Sequence, residues 1–370
     1  MGTTISWTLL AIIFIPVFLV LASIPYLTRR TESFGVSIPE EMYQNPELEE
    51  MRKRYLRWMF GTALFILALS IIVWQYTPLI TGGVIPLAVV SLVILAFCVY
   101  LKFHLEMKQL KKDKDWERDK VERTIVDIRF QQRGLTHSMH WFWVSAAIWA
   151  GTVLLTVMTY DQIPDTIPLQ YNFEGEVTRT AEKSWLSVSF IPMMQLIMIG
   201  VFIGVSYVIR IAKQSVDPSN PEKSLKQSSR FRRRWSAFTI VNGTVMVLLF
   251  VVIQLSFIYT LPDWVITTAT LGLSAVIVIG AIVLAFSTGQ GGTRIRITDK
   301  NGREDKIERD LDRHWKLGIF YVNRHDPALF MEKRFGVGWT INFARPLAWL
   351  LIVGLLMVTG GLPILLTYLM

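Results

Sequence analysis

Long apolar runs, separated by short polar segments, set the pattern of this sequence. Eight runs are long enough to cross a bilayer as helices, because about 20 apolar residues span its hydrocarbon core. They cover about residues 5–27, 58–76, 85–102, 141–160, 186–209, 238–261, 264–287 and 347–369. No basic stretch precedes the first run and no small-residue cleavage site follows it, so we expect a retained helix. The pattern predicts an all-α polytopic membrane protein with about eight transmembrane helices.

The overall composition agrees with this class. Hydrophobic residues make up 52% of the 370 residues and charged residues 18%, whereas charged residues alone make up about a quarter of soluble domains. The formal net charge of +9 comes from Lys and Arg that cluster between apolar runs, which favours lipid headgroups over nucleic acid. The single cysteine, Cys98, lies inside an apolar run and offers no disulfide framework. We therefore expect contact with the lipid bilayer and no nucleic-acid binding.

Basic charge alternates between successive polar segments. The segments after the first, third, fifth and seventh runs are rich in Lys and Arg, whereas the segments between them carry few basic residues. Short segments rich in Lys and Arg stay on the cytoplasmic side of a membrane. The alternation predicts a multi-pass membrane protein with both termini extracellular.

The same alternation divides the chain into five regions. They are an N-terminal three-helix membrane region with cytoplasmic loops (1–140), a helix–loop–helix with an extracellular loop at 160–186 (141–210), a basic cytoplasmic loop with a helical hairpin (211–292), a cytoplasmic module (293–346) and the last transmembrane helix (347–370). The predicted fold therefore adds one structured extracellular loop and one small cytoplasmic module to the helices.

The extracellular loop at 160–186 is the only substantial polar segment on its side of the membrane. Two prolines fix φ, while Asn172 and Gly175 supply turn chemistry, so we expect a folded loop. Five carboxylates face two bases in it, which suits a cation or a basic peptide, although a solvated acidic loop would also satisfy the charge rule. The candidate ligand-binding residues are Asp161, Pro164, Asp165, Pro168, Asn172, Glu174, Gly175, Glu176 and Lys183.

A family resemblance is carried by this loop. The residues concerned are Tyr160, Asp161, Ile163, Pro164, Ile167, Pro168, Asn172, Gly175, Glu176 and Lys183. Together with the flanking helices, they resemble the signature of the SdpI-type bacterial membrane proteins. Gln170 and Tyr171 depart from the His and aromatic residue usual there, and Thr178 from a common Asp. The resemblance implies a location in the bacterial plasma membrane and protection from a peptide toxin. It also implies a cytoplasmic protein partner, a transcriptional repressor held at the membrane.

The cytoplasmic segments differ in pattern. Residues 108–133 predict an amphipathic helix that continues the third span, and residues 293–301 alternate like a strand before an Asn301-Gly302 turn. Residues 310–346 are rich in aromatics and too polar to span, so we expect them to fold against the helices. Gly336 and Gly338 predict tight turns before a short strand. The run 287–292 lacks the lysine of a phosphate-binding loop and predicts a flexible end to the seventh span.

Few residues are candidates for metal binding or catalysis. His104, His137 and His140 lie at one membrane face and could hold zinc with Glu106, but the spacing matches no zinc motif, so interfacial histidines are the favoured interpretation. We expect no metal, no cofactor and no catalytic residue, because no nucleophile–base spacing is recognisable. The hypothesis is a non-enzymatic SdpI-type immunity or envelope-peptide sensing protein.

The alternative is a transporter or an accessory subunit of a transport complex. The spans contain almost no ionisable side chain, which argues against ion-coupled transport; their polar residues include Gln195, Asn242 and Gln254. A continuous polar cavity through helices four to seven would favour the alternative. A dry bundle beneath a structured outer loop would favour sensing.

The predicted topology can be tested by thiol labelling. In a Cys98→Ser background, Asp165→Cys should react with a membrane-impermeant thiol reagent in intact cells, because the loop is expected outside. A cysteine at Ser224, in a predicted cytoplasmic segment, serves as the control and should react only after the cells are opened. Labelling of Asp165→Cys only in opened cells would contradict the orientation.

Overall fold

The computed structural model describes residues 2–76, 81–116, 135–171, 177–215, 221–259, 261, 263–297 and 312–369. Within these residues, eight helices are long and apolar enough to cross a membrane, which confirms a multi-pass all-α architecture. The helices are α1 (Gly2–Leu27), α2 (Pro46–Tyr76), α3 (Thr81–Asp113), α4 (Phe142–Met158), the short α5 (Trp185–Val188), α6 (Phe190–Ile211), α7 (Pro221–Ile258), α8 (Asp263–Thr288), α9 (Pro346–Leu356) and α10 (Leu362–Leu369).

Helices α1, α2 and α3 pack on one another as a first bundle. Helix α2 begins at Pro46, well before the apolar run predicted from residue 58. The reason is that Leu48, Met51 and Tyr55 continue a buried stripe at helical spacing ahead of the run. A β-hairpin of β1 (Glu32–Ser33) and β2 (Val36–Ser37) follows α1 and covers this end of the bundle.

Helices α4, α6 and α7 form a second bundle, and α8 lies against α7 and α1. Helix α7 has 38 residues, so it is about 57 Å long, whereas the hydrocarbon core is about 30 Å thick. Residues 221–237, predicted as part of a basic loop, are therefore the first turns of this helix. They continue the span into the polar region because Ser228, Phe231 and Arg232 are buried against other elements.

The two ends of the bundles differ. The hairpin end carries β3 (Thr166–Tyr171) and β4 (Val177–Glu182), an antiparallel pair in which Thr166 faces Glu182. The basic end carries the segment after α1, the start of α7 and a module of four short strands (residues 312–345). In the module, β5 (Trp315–Lys316) pairs with β6 (Phe320–Tyr321), and β7 (Phe330–Glu332) pairs with β8 (Trp339–Ile341).

One buried asparagine organises the module. The Asn342 side-chain amide donates to the carbonyls of Asn323 at 2.8 Å and Asp326 at 3.3 Å, and its oxygen accepts from the Asn323 N–H. Gly336 and Gly338 have φ of 92° and 112° just before β8, which confirms the predicted tight turns. The module is folded by internal polar contacts that its short strands alone would not supply.

Two sequence predictions about the segments near the basic end turn out differently, and a third is described only in part. The run 287–292 is not a flexible exit from α8, because Thr288, Gln290 and the glycines at 291 and 292 are buried. The predicted strand from residue 293 is absent over 293–297, and the Asn301-Gly302 turn lies outside the described residues. Of the amphipathic helix predicted over 108–133, the structure describes helix as far as Asp113, and residues 117–134 are outside it.

The module packs on the first bundle through an aromatic contact. The ring centroid of Phe335 lies 4.4 Å from that of Tyr100 and 6.1 Å from that of Phe34. The Tyr100 hydroxyl donates to the Leu317 carbonyl at 2.8 Å. The prediction that residues 310–346 fold against the helices is thus confirmed for the described part, 312–346.

Truncating this contact should loosen the module. Phe335 is half-buried, so Phe335→Ala should lower the free energy that holds the module on the bundle by about 2 kcal/mol, less than a fully buried Phe would cost. Trypsin should then cleave after Arg334 at least about tenfold faster in purified protein. Leu347→Ala, at a 54% exposed position, is the control and should leave the rate unchanged. Equal cleavage of Phe335→Ala and the parent would contradict the packing.

Candidate functional site

At the hairpin end, the β3–β4 hairpin stands on a hydrophobic cluster. Ile163 and Ile167 are 2% and 1% exposed and pack against Val188, Phe257 and Ile258. The cluster therefore joins the hairpin to α5 and to the last turn of α7. A hairpin seated in this way is a folded part of the protein, as the loop's turn residues predicted.

Lys183 braces the base of the hairpin. Its Nζ donates to the Ile163 carbonyl at 2.8 Å and lies 4.9 Å from the centre of the Tyr160 ring. That ring stacks on Trp185 at 4.0 Å with an interplanar angle of 12°. The Lys183 ammonium is thus engaged with the hairpin itself, so it stabilises the loop more directly than it offers charge to a ligand.

The other candidate ligand residues divide into two groups. Asp161, Pro164 and Asp165 are exposed and Pro168 is half-buried, so this edge of the hairpin is accessible. The remaining four, Asn172, Glu174, Gly175 and Glu176, lie outside the described residues.

A polar ladder runs between α4, α6 and α7. Gln254, fully buried, donates from Nε2 to the Thr156 hydroxyl at 3.0 Å and to the Val188 carbonyl at 3.3 Å. Gln195, also fully buried, donates to the Thr152 hydroxyl at 3.3 Å and to the Val247 carbonyl at 3.1 Å.

The ladder has a structural and a chemical consequence. Through Gln254, α7 is hydrogen-bonded both to α4, which precedes the hairpin, and to the short helix α5, which follows it. The side-chain carbonyl oxygens of Gln195 and Gln254 are buried without a hydrogen-bond partner among the described residues. The sequence indicated these glutamines as polar residues in the spans but gave no sign of their partners.

At the basic end, Glu332 of β7 is buried between two arginines. It pairs with Arg29, which follows α1, and its second oxygen lies 3.6 Å from the Arg232 guanidinium of α7. The Ser228 hydroxyl of α7 donates to the same oxygen at 3.3 Å. A single carboxylate therefore links the module to both bundles.

Arg232 also forms hydrogen bonds to the end of α6. Its guanidinium donates to the Ile209 carbonyl at 3.1 Å and to the Ala212 carbonyl at 2.7 Å. These are carbonyls at the end of α6 that no longer have helical partners, so Arg232 caps that helix. The Arg232 side chain therefore caps α6 and also, through its contact with Glu332, connects α7 to the module.

A second ionic cluster ties the module to α3. Asp312 accepts from Lys111 Nζ at 2.5 Å and pairs with Arg334, which lies 3.7 Å from Glu32. Burial raises the pKa of Asp312, but the charges and hydrogen bonds of Arg334 and Lys111 outweigh it and lower that pKa to about 2. Burial likewise raises the pKa of Glu32, against the opposing charges of Arg334 and Arg29.

These ionic residues were not predicted from the sequence. Their only signal was the placement of charges among aromatics in the module, as in the stretch FMEKRFGVGW. Charged residues in such a setting are either solvated or paired inside, and pattern alone does not separate the two cases. The structure shows that Glu332 and Arg334 are paired inside.

The three histidines are not brought to a common site. His104 is buried on α3, where its Nδ1 lies 2.8 Å from the Phe34 carbonyl, and Glu106 pairs with Arg54. The backbone N–H of His137 instead meets Ser236 of α7 at 3.0 Å. Within the described part of the chain, no three His, Cys, Asp or Glu side chains lie close enough to hold a metal.

The hairpin and the module each coincide with a family model. Two models match this chain. The Domain of unknown function (DUF1648) matches residues 147–196, from mid-α4 through the hairpin into α6. The Family of unknown function (DUF5808) matches residues 324–349, which include β7, β8 and the start of α9. Neither covers half of the chain. No curated protein and no solved structure matches it.

The Asp312 cluster predicts a pH-dependent stability. A carboxyl with pKa about 2 in the folded protein, against about 3.8 unfolded, contributes about 2 kcal/mol above pH 4 and loses this as the pH falls toward 2. Asp312→Asn should therefore lower the melting temperature in detergent at pH 7. At pH 2, where about half of the folded carboxyl is protonated, the difference in melting temperature should be much smaller.

A matched control separates the buried pair from a general effect of charge removal. Asp113→Asn, at an exposed position on the last turn of α3, should leave the melting temperature at pH 7 within experimental error of the parent. An Asp312→Asn melting temperature equal to the parent's at pH 7 would contradict a stabilising role for the cluster.

Proposed function

We propose that this integral membrane protein is non-enzymatic and senses or blocks an envelope-active peptide, as immunity proteins of the SdpI type do. The proposal includes the orientation expected from the charge pattern, with the hairpin outside the plasma membrane and the module inside. It rests on one observation, that α7 reaches from the hairpin cluster to the buried carboxylate of the module as a single helix.

The contacts of α7 at its two ends support this connection. Phe257 and Ile258 pack under the hairpin, and Gln254 bonds to both of its flanking elements. About 33 Å away along the same helix, at 1.5 Å per residue, Arg232 meets Glu332. A helix displaced at one end moves at the other, so a ligand on the hairpin would alter the contacts of the module.

The exposed edge of the hairpin indicates the class of ligand. Asp161 and Asp165 are exposed there, and the sequence adds Glu174 and Glu176 in the same loop. Carboxylates at a rim favour a cationic partner and affect the rate of association more than the final affinity. A basic envelope-active peptide outside and a protein partner at the module inside fit this distribution.

The runner-up is a transporter or an accessory subunit of one. It is favoured by the polar ladder, since the side-chain oxygens of Gln195 and Gln254 are buried acceptors inside the spans. Pairing of the ladder's amide groups and hydroxyls across α4, α6 and α7 instead favours a structural role. Uptake of a labelled peptide into vesicles that contain the protein would support transport over sensing.

Growth of a deletion strain tests the proposal. Against a panel of cationic envelope-active peptides, the strain should be more sensitive than its parent to at least one peptide, and the intact gene should restore resistance. Glu332→Gln should fail to restore it if the module carries the output. Equal growth of both strains across the panel would exclude peptide immunity.

Binding to purified protein gives the matched measurement. Glu174→Gln combined with Glu176→Gln should weaken binding of the active peptide at low salt and change it little at high salt, because exposed charges are screened beyond about 8 Å at physiological ionic strength. The control, Glu49→Gln on the first turn of α2, removes an exposed carboxylate at the opposite end and should have no effect.

A further inference from the structure

The first turns of α7 present two different faces. Arg232 is 1% exposed and turned toward α6 and the module, where it makes the contacts described above. Arg230, Arg233 and Arg234 are exposed. At 100° per residue, Arg230 and Arg234 each lie 160° around the helix from Arg232, one on either side, so both are nearly opposite to it. Arg233 lies 100° from Arg232. We call these three exposed residues the arginine face.

Two arginines of this face lack an acidic partner among the described residues. Arg233 and Arg234 form no ion pair there, and Arg230 only approaches the Arg296 carbonyl at 3.5 Å. On the same face one turn earlier, Lys226 is paired with Glu222 at 2.5 Å. Positive charge is therefore left uncompensated close to where α7 enters its apolar run.

Helix α2 provides an internal comparison. Two arginines occupy the equivalent place just before the apolar run of α2, the half-buried Arg54 and the exposed Arg57. Each is paired with a carboxylate: Arg54 with Glu106, and Arg57 with Glu50. Arg57 precedes Trp58 as Arg234 precedes Trp235, so the two sites share depth and an aromatic boundary residue. They differ in whether the positive charge is neutralised by the protein.

The depth of the arginine face identifies its partner. The apolar run of α7 begins at Phe238, so guanidinium groups at positions 230–234 lie at the level of lipid headgroups. A guanidinium presents paired N–H donors that match phosphate oxygens. We propose that the arginine face binds the headgroups of anionic phospholipids, and that the paired arginines of α2 do not. This inference is independent of the proposed function.

The expected size of the effect follows from membrane electrostatics. One basic residue near an anionic surface contributes about 1 kcal/mol, which is about a fivefold change in affinity. Neutralising Arg233 and Arg234 together should therefore reduce the preference for an anionic lipid by roughly tenfold or more. Neutralising Arg54 and Arg57 should change it less than twofold, because their guanidinium groups are engaged by Glu106 and Glu50 and not by headgroups.

Native mass spectrometry of the purified full chain can measure this preference. Dioleoyl phosphatidylglycerol and dioleoyl phosphatidylcholine are added in competition, and the ratio of bound lipids is compared among variants. The parent should favour phosphatidylglycerol. Arg233→Gln with Arg234→Gln should lose most of that preference, whereas Arg54→Gln with Arg57→Gln should keep it. Arg233→Lys with Arg234→Lys retains the charge and should preserve a substantial part.

The outcomes distinguish headgroup binding at the arginine face from a response to total charge. Equal binding of the two lipids by the parent, or an unchanged preference in the Arg233/Arg234 glutamine variant, would overturn the proposal. Equal losses in the α2 and α7 variants would show that total charge decides, and would also overturn it. Melting curves recorded on each variant identify misfolding. If the double glutamine variant is misfolded, the single variants Arg233→Gln and Arg234→Gln decide, because each should reduce the preference about fivefold, and an unchanged preference in both would overturn the proposal.

Discussion

The buried carboxylate of Glu332 is the constraint on which the basic end depends. A carboxylate without water is costly unless opposite charge and hydrogen bonds satisfy it, and here Arg29, Arg232 and Ser228 do so from two bundles. The two bundles otherwise meet chiefly where α1 touches α8. Removing Glu332 would take the shared carboxylate from both arginines at once, so this residue holds the two bundles to the module.

Buried polar groups also need partners within the spans near the hairpin. Gln195 and Gln254 satisfy their amide groups with hydroxyls and carbonyls of neighbouring helices, where no lipid group could do so. These bonds fix the register of α4, α6 and α7 relative to one another. This register also fixes the position of the hairpin, because Thr156 lies before the hairpin, Val188 lies after it, and both are bonded to Gln254.

The sequence was informative where a one-dimensional pattern decides the structure. Apolar runs gave the eight spans, and Gly336 and Gly338 gave the turns before β8, because each depends on local chemistry. The pattern did not indicate that α7 begins at Pro221, because this start is stabilised by burial of Phe231 and Arg232 against residues distant in sequence. The pairing of Glu332 with Arg29 was equally inaccessible, since these residues lie 303 positions apart.

That separation has a consequence for how the protein is made. Arg29 is synthesised early and Glu332 late, and at about 5–20 residues per second the interval between them is roughly 15–60 seconds. During this interval Arg29 and Arg232 have no carboxylate from the module, and the bundles can insert and adjust independently. A segment synthesised after both bundles thus completes the connection between them, and a product that stops before Glu332 lacks it.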